Sequence, residues 1–216
     1  MNATTLEKLE SLFTNSITRH YKKGHIFILP GQTSDLFYNV IAGRMKVYDV
    51  TYRGDEIIID RFGAQTFFPM SLIINSIPAQ YIYEAEGDVT IKAVIKDAAI
   101  SLLKENPEVV LDLFSDVYKL VDKTVSRFIN LATKNAKSRI IFCIIDECQK
   151  FATIQENGDN VIYVSERDLA AIAGLSRETV SRQIKTLKYD NLISTHRNAL
   201  TVHSLDKLEE YLHSHA

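Results

Sequence analysis

Apolar positions change their spacing several times along the chain, and each change marks a different kind of element. Leu6, Leu9, Phe13 and Ile17 recur at the helical period. They follow a Thr4–Glu7 pair that fits a capping box, so a short amphipathic helix is expected over 4–16. From about 19 to 95 the period shortens to extended runs: HIFIL, LFYNVIA, MKVYDVTY, EIIID, YIYEAE and VTIKAVI. Turn residues separate them, among them Pro30-Gly31, Gly43-Arg44, Arg53-Gly54-Asp55, Gly63 and Gly87-Asp88. Regularly spaced short strands with glycine turns predict an antiparallel sandwich or barrel of the jelly-roll kind.

Helical spacing returns near Lys96, and Pro107 suits the first turn of a new helix. Val110, Phe114, Val117, Val121, Thr124, Phe128 and Leu131 then step by threes and fours, with Leu113, Leu120 and Val125 widening the stripe. Roughly 27 residues in this register extend about 40 Å. A helix that long between two domains is best explained as a dimer seam with coiled-coil-like packing. The plainer alternative is a helix that covers only its own barrel. Asn135 reads as a stop and restart, and 138–151 as a second apolar helix with Ile140, Ile141, Ile144 and Ile145 inward.

The densest signal lies in SERDLAAIAGLSRETVSRQIKTLKYDNLIS, residues 165–194. Ser165 and Asp168 suit the start of a short helix with Leu169 and Ile172 inward. Gly174 supplies a turn that needs positive φ, and Ser176 caps a second helix. On that helix Val180, Ile184 and Leu187 form one buried stripe. The opposite arc carries Arg177, Glu178, Ser181, Arg182, Lys185 and Lys188, four positive charges against one negative. Arginine can bond bidentately to guanine, and glutamate can accept from the cytosine amino group. Lys185 and Lys188, further along, suit phosphates. This is the pattern of a helix-turn-helix that lays its second helix in a major groove of double-stranded DNA. Residues 192–195 and 199–202 then read as a wing hairpin, with His196, Arg197 and Asn198 at its tip and Arg197 as a phosphate contact. An alternative remains open: a ligand-sensing barrel whose helix-turn-helix serves protein contact.

Composition sets the outer bounds. The 216 residues are 46% hydrophobic and 24% charged, with a net charge of −2. The basic helix outweighs that total, because only the phosphates actually neutralised matter. The absence of a membrane-length apolar run and of signal-peptide order makes a cytoplasmic location the expectation. Cys143 and Cys148, five apart, fall about 140° apart on a helix and read as packing residues. Asp146 and Glu147 read as surface charges. No Walker loop, no HExxH and no nucleophile–base pairing is found, so no enzymatic activity, metal or cofactor is expected.

The glycine framework (Gly24, Gly31, Gly43, Gly63), the helix after Pro107 and above all GLSRETVSRQIKTLKYDNLIS resemble the Crp/Fnr family of bacterial transcription regulators. The resemblance implies an α+β fold: an N-terminal antiparallel β jelly-roll barrel (1–106), a long dimerisation helix (107–134) and a C-terminal winged helix-turn-helix (135–216). It further implies a homodimer on a two-fold symmetric operator with half-sites like TGTGA. Arg177, Glu178 and Arg182 would read bases, Ser176 and Thr179 would meet phosphates, and Ser181 would bear on base choice. An activator would also need a surface for RNA polymerase.

The effector region departs from the family pattern. Cyclic-nucleotide-binding members carry Gly-Glu and then Arg-Ser or Arg-Thr, but here Pro69-Met70 and Ala79-Gln80-Tyr81 stand in those places. Residues 62–84 contain no cation, and burying a phosphate without one is costly. Cyclic AMP is therefore not expected to bind in the family manner. Phe67, Phe68, Met70, Tyr81 and Tyr83 would suit an uncharged or apolar effector, or would simply fill the barrel.

Overall fold

Alternation of side chains along short strands builds the first half of the chain, and helical stripes build the second. The computed structural model describes residues 1–52, 54–196 and 199–214. The chain divides into two compact units, one of residues 1–50 and 58–122, the other of residues 51–57 and 123–216.

The first unit begins with helix α1 (Ala3–Ser11) and continues through eight strands: β1 (Thr18–Tyr21), β2 (Ile26–Ile28), β3 (Leu36–Ala42), β4 (Met45–Val50), β5 (Glu56–Phe62), β6 (Thr66–Phe68), β7 (Ile82–Ala85) and β8 (Val89–Ile95). A short helix, α2 (Met70–Asn75), separates β6 from β7, and α3 (Lys96–Glu105) follows β8. The strands form two four-stranded sheets, ordered β1-β8-β3-β6 and β2-β7-β4-β5. Between them lie Val40, Met45, Phe68, Ala85, Val89 and Ile91. The opposite side chains of β3, notably Phe37, pack with Leu9, Phe13, Ile73, Ala99, Leu103 and Val109. Gly43 shows why one turn needs glycine: φ is +89°, and a Cβ would lie 2.3 Å from the Asp88 carbonyl oxygen.

Helix α1 starts earlier than the Thr4–Glu7 spacing suggests. The Asn2 side chain accepts the Thr5 N–H at 2.8 Å, and the helix ends at Ser11. The first cap available to the chain outcompetes the second.

Helix α4 (Pro107–Thr133) has the expected 27 residues. It stops before Asn135, whose side chain accepts the Ser138 N–H at 3.0 Å and caps α5 (Ala136–Phe151). The second unit continues with β9 (Thr153–Ile154), β10 (Asn160–Tyr163), α6 (Glu166–Ala173), α7 (Arg177–Tyr189), β11 (Ile193–His196), β12 (Ala199–Val202) and α8 (Leu205–Ser214). Its antiparallel sheet runs β11-β12-β10-β9. Ile140, Ile141, Ile144, Ile162, Leu169, Leu187, Leu200 and Leu208 are buried at its core. Among the described residues, no helix is long and apolar enough to cross a membrane.

Candidate nucleic-acid interface

Two capped helices and one glycine set the geometry of the reader. Ser165 Oγ accepts the Asp168 N–H at 3.1 Å, while the Asp168 carboxylate accepts the Ser165 N–H at 3.1 Å, a reciprocal capping box. Helix α6 ends at Gly174, in the left-handed region at φ 60°. Ser176 then accepts the Thr179 N–H at 3.2 Å and opens α7.

Val180, Ile184 and Leu187 anchor α7 in the core. Arg177, Glu178, Arg182, Lys185 and Lys188 are exposed on its other side, and Ser181 is half-buried between them. Arg177, Glu178, Ser181, Arg182 and Lys185 line one shallow depression together with Glu166. The Glu178 carboxyl is held below the usual glutamate range, first by its own backbone N–H, then by the Ser176 hydroxyl and by Arg177. It is therefore an acceptor at neutral pH. Lys188 Nζ donates to Thr195 Oγ1 at 3.0 Å, which leans it toward the wing. Ser176 and Thr179 hydroxyls lie 3.1 Å apart at the start of α7, where free backbone N–H groups favour an anion. His196 is exposed at the end of β11, and Arg197 lies outside the described residues.

Arg167 escaped the sequence reading. It is exposed in the first turn of α6 and lines a recess with Arg177 and Thr195. Its place just after a helix cap was the available signal.

The five residues proposed for an effector pocket do not come together. Phe67 and Phe68 are neighbours on β6 and must face opposite sides of the sheet. Phe67 stacks on Phe37 at 5.9 Å and, with Met70, packs against the α1–α3 cluster. Phe68 and Tyr83 face the interior, while Tyr81 is exposed. Phe68 sits in a nest of rings: Tyr38 at 4.9 Å, Phe62 at 5.4 Å, Phe27 at 5.9 Å and Tyr83 at 6.0 Å.

Cations occur on the other sheet, at Lys46 of β4 and Arg61 of β5, both outside residues 62–84. Met45 and Tyr83 turn inward, so Lys46 and Glu84, paired across β4 and β7, turn the other way. Lys46 Nζ lies 3.5 Å from Glu84 Oε1, and Arg61 Nη2 lies 2.6 Å from Glu86 Oε1. Tyr48 donates to Glu84 Oε2 at 2.6 Å. These cations meet carboxylates on the face away from the ring nest.

One further expectation, the reading of Asp146 and Glu147 as surface charges, needs correction. Glu147 is buried, and Asp146 pairs with Lys123 of α4 and with Lys150, so neither is an ordinary surface charge. Cys143 and Cys148 are free and buried, and burial pushes both thiols up to about 12, which removes the reactive thiolate at neutral pH.

The α4 stripe is bare in a single chain. Val110, Phe114, Val117, Val121, Thr124 and Phe128 are exposed, Phe128 to 69%, and Leu131 is half-buried.

A capped helix pair with a cationic outer face, backed by a winged sheet and preceded by a two-sheet barrel, defines a DNA-binding regulator of the winged helix-turn-helix class. The family model for the Crp-like helix-turn-helix domain matches residues 138–211, and that for the cyclic nucleotide-binding domain matches residues 18–106. The chain is 24% identical over 201 residues to the cAMP-activated global transcriptional regulator CRP of Haemophilus influenzae, covering 90% of this chain and 88% of that protein. It is 26% identical over 195 residues to the transcriptional regulator ArcR of Staphylococcus aureus, covering 89% and 82%. The structure of FixK2 from Bradyrhizobium japonicum matches with a TM-score of 0.78 at 16% identity, over 90% of this chain and 96% of that one. A CRP/FNR-family regulator of Thermus thermophilus matches with a TM-score of 0.74 at 23% identity, over 93% and 100%. The chain belongs to the Crp/Fnr family of transcription regulators.

Proposed function

We propose that this regulator works as a homodimer on a palindromic operator and does so without a cyclic nucleotide. The carrying observation is the outward face of α7, where Arg177, Glu178 and Arg182 stand exposed opposite buried Val180, Ile184 and Leu187. In this reading Arg177 and Arg182 bond guanine edges, Glu178 accepts from a cytosine amino group, and Ser181 abuts the same base pairs. Ser176, Thr179, Lys185, Lys188, Arg197 and Arg167 hold phosphates, which set register without carrying sequence.

The dimer reading rests on the exposed α4 stripe. Monomeric proteins rarely leave so continuous an apolar surface uncovered, and a second copy of the same stripe covers it with two-fold symmetry. The effector reading rests on the ring nest around Phe68 and on the pairing of Lys46 and Arg61 with carboxylates. With no free cation offered to a buried phosphate by residues 62–84, a cyclic nucleotide lacks its partner charge.

Selection from random duplexes with the full chain tests the proposal. The expected product is a palindrome with half-sites about one helical turn apart. Recovery of unrelated sequences, or of single half-sites only, overturns it.

A further inference from the structure

The last carbonyls of α6 lack intrahelical donors, as at any helix end, and the turn they enter sets the geometry of the reader. Two guanidinium groups take them. Arg139 of α5 donates to the Ala173 carbonyl and, at 3.0 Å, to that of Gly174. Arg127 of α4 donates from Nη2 to the Ile172 carbonyl at 2.9 Å. Cations suit a helix C-terminus, where the backbone dipoles leave negative charge.

The two arginines differ in origin. Arg139 belongs to the helix at the core of the reader's own domain. Arg127 belongs to the helix that bears the exposed stripe. It lies about 100° around the helix from Phe128 and about 20° beyond Leu120, so α6 is held at the edge of the stripe rather than over its centre. The chain between α4 and α5 is only Lys134 and Asn135. Rotation at those two residues would swing α7 relative to α4, and the Arg127 bond opposes that swing.

We propose that Arg127 is a positioning residue for operator recognition. By fastening the end of α6 to α4, it fixes the angle between seam and reader, and so the distance between the two α7 helices of a dimer. The proposal rests on the reading of α4 as the seam. Half-sites on a duplex repeat at a fixed interval, so a fastened reader fits one interval. A loosened reader fits several, each less tightly, because the ordering cost falls on binding.

The test uses the full chain and duplexes derived from those selected on the unaltered protein. One duplex keeps the selected spacing, two have it lengthened or shortened by a base pair, and one carries a single half-site. Arg127→Gln is expected to lose roughly tenfold in affinity at the selected spacing, the scale of one charge-assisted bond. It should also flatten the difference among spacings and leave single half-site binding and the thermal midpoint nearly unchanged. Arg127→Lys, which keeps one cationic donor, should restore part of the spacing preference, and it serves alone if the Gln variant fails to fold. An unaltered spacing profile in both variants overturns the proposal. So does an equal loss on single and paired half-sites with a lowered midpoint, which marks a purely structural role. If the unaltered protein itself prefers no spacing, the seam reading falls and takes this proposal with it.

Discussion

Arg182 and Lys188 are both exposed on α7 but stand about 120° apart around it and face different tasks. Arg182 lines the depression with Arg177 and Glu178, whereas Lys188 leans to Thr195 on the wing. Arg182→Ala should cost about 1–3 kcal/mol on the selected duplex and relax preference at one base pair. Lys188→Ala should weaken binding evenly across sequences and reduce the salt slope by about one. Titrations of both variants on matched and mismatched duplexes at two salt concentrations check this. A lysine variant that changes base preference would overturn the division. At this scale the caps were legible in the sequence, since Ser165, Gly174 and Ser176 act through neighbours at most three or four residues away. The grips of Arg127 and Arg139 were not, because their acceptors lie 45 and 34 residues on in the chain and are backbone carbonyls that no side-chain pattern advertises.

Among the elements, α4 carries the sharpest consequence. Val117 is 52% exposed in the single chain, so an aspartate there meets water in a monomer and a desolvated partner in a dimer. Val117→Asp should leave the fold intact, halve the mass seen by sedimentation equilibrium and abolish tight binding to the paired-site duplex. An unchanged dimer would refute the seam. The length and stripe of α4 were plain in the sequence because helical periodicity is local. The strand β6 is less legible: Phe67 and Phe68 look like one lining in the sequence, although consecutive residues of a strand face opposite ways. That alternation was present in the sequence and was the signal to use. The pairing of Lys46 with Glu84 was beyond it, since it depends on which strands become neighbours across 38 residues.

For the whole molecule, the two-sheet barrel and the winged domain follow from patterns that repeat along the chain, so the family resemblance and the periodicities led to the same architecture. What the barrel senses depends on its interior, where long-range packing decides. Phe68 and its surrounding rings occupy the space between the sheets, and the nearby cations are paired on the other face. Isothermal titration of the full chain with cyclic AMP and cyclic GMP should give no heat of binding, and duplex affinity should be the same with and without either compound. Micromolar binding would mean that the barrel rearranges to supply a cation.

The recognition helix is anchored in the core by three aliphatic side chains, while Arg177 and Arg182 are exposed and Ser181 is half-buried. Exchange at Arg177, Ser181 or Arg182 therefore carries little folding penalty. A lineage with this scaffold can rewire which promoters it visits by drifting at a few surface codons, with the hinge, the seam and the core left untouched.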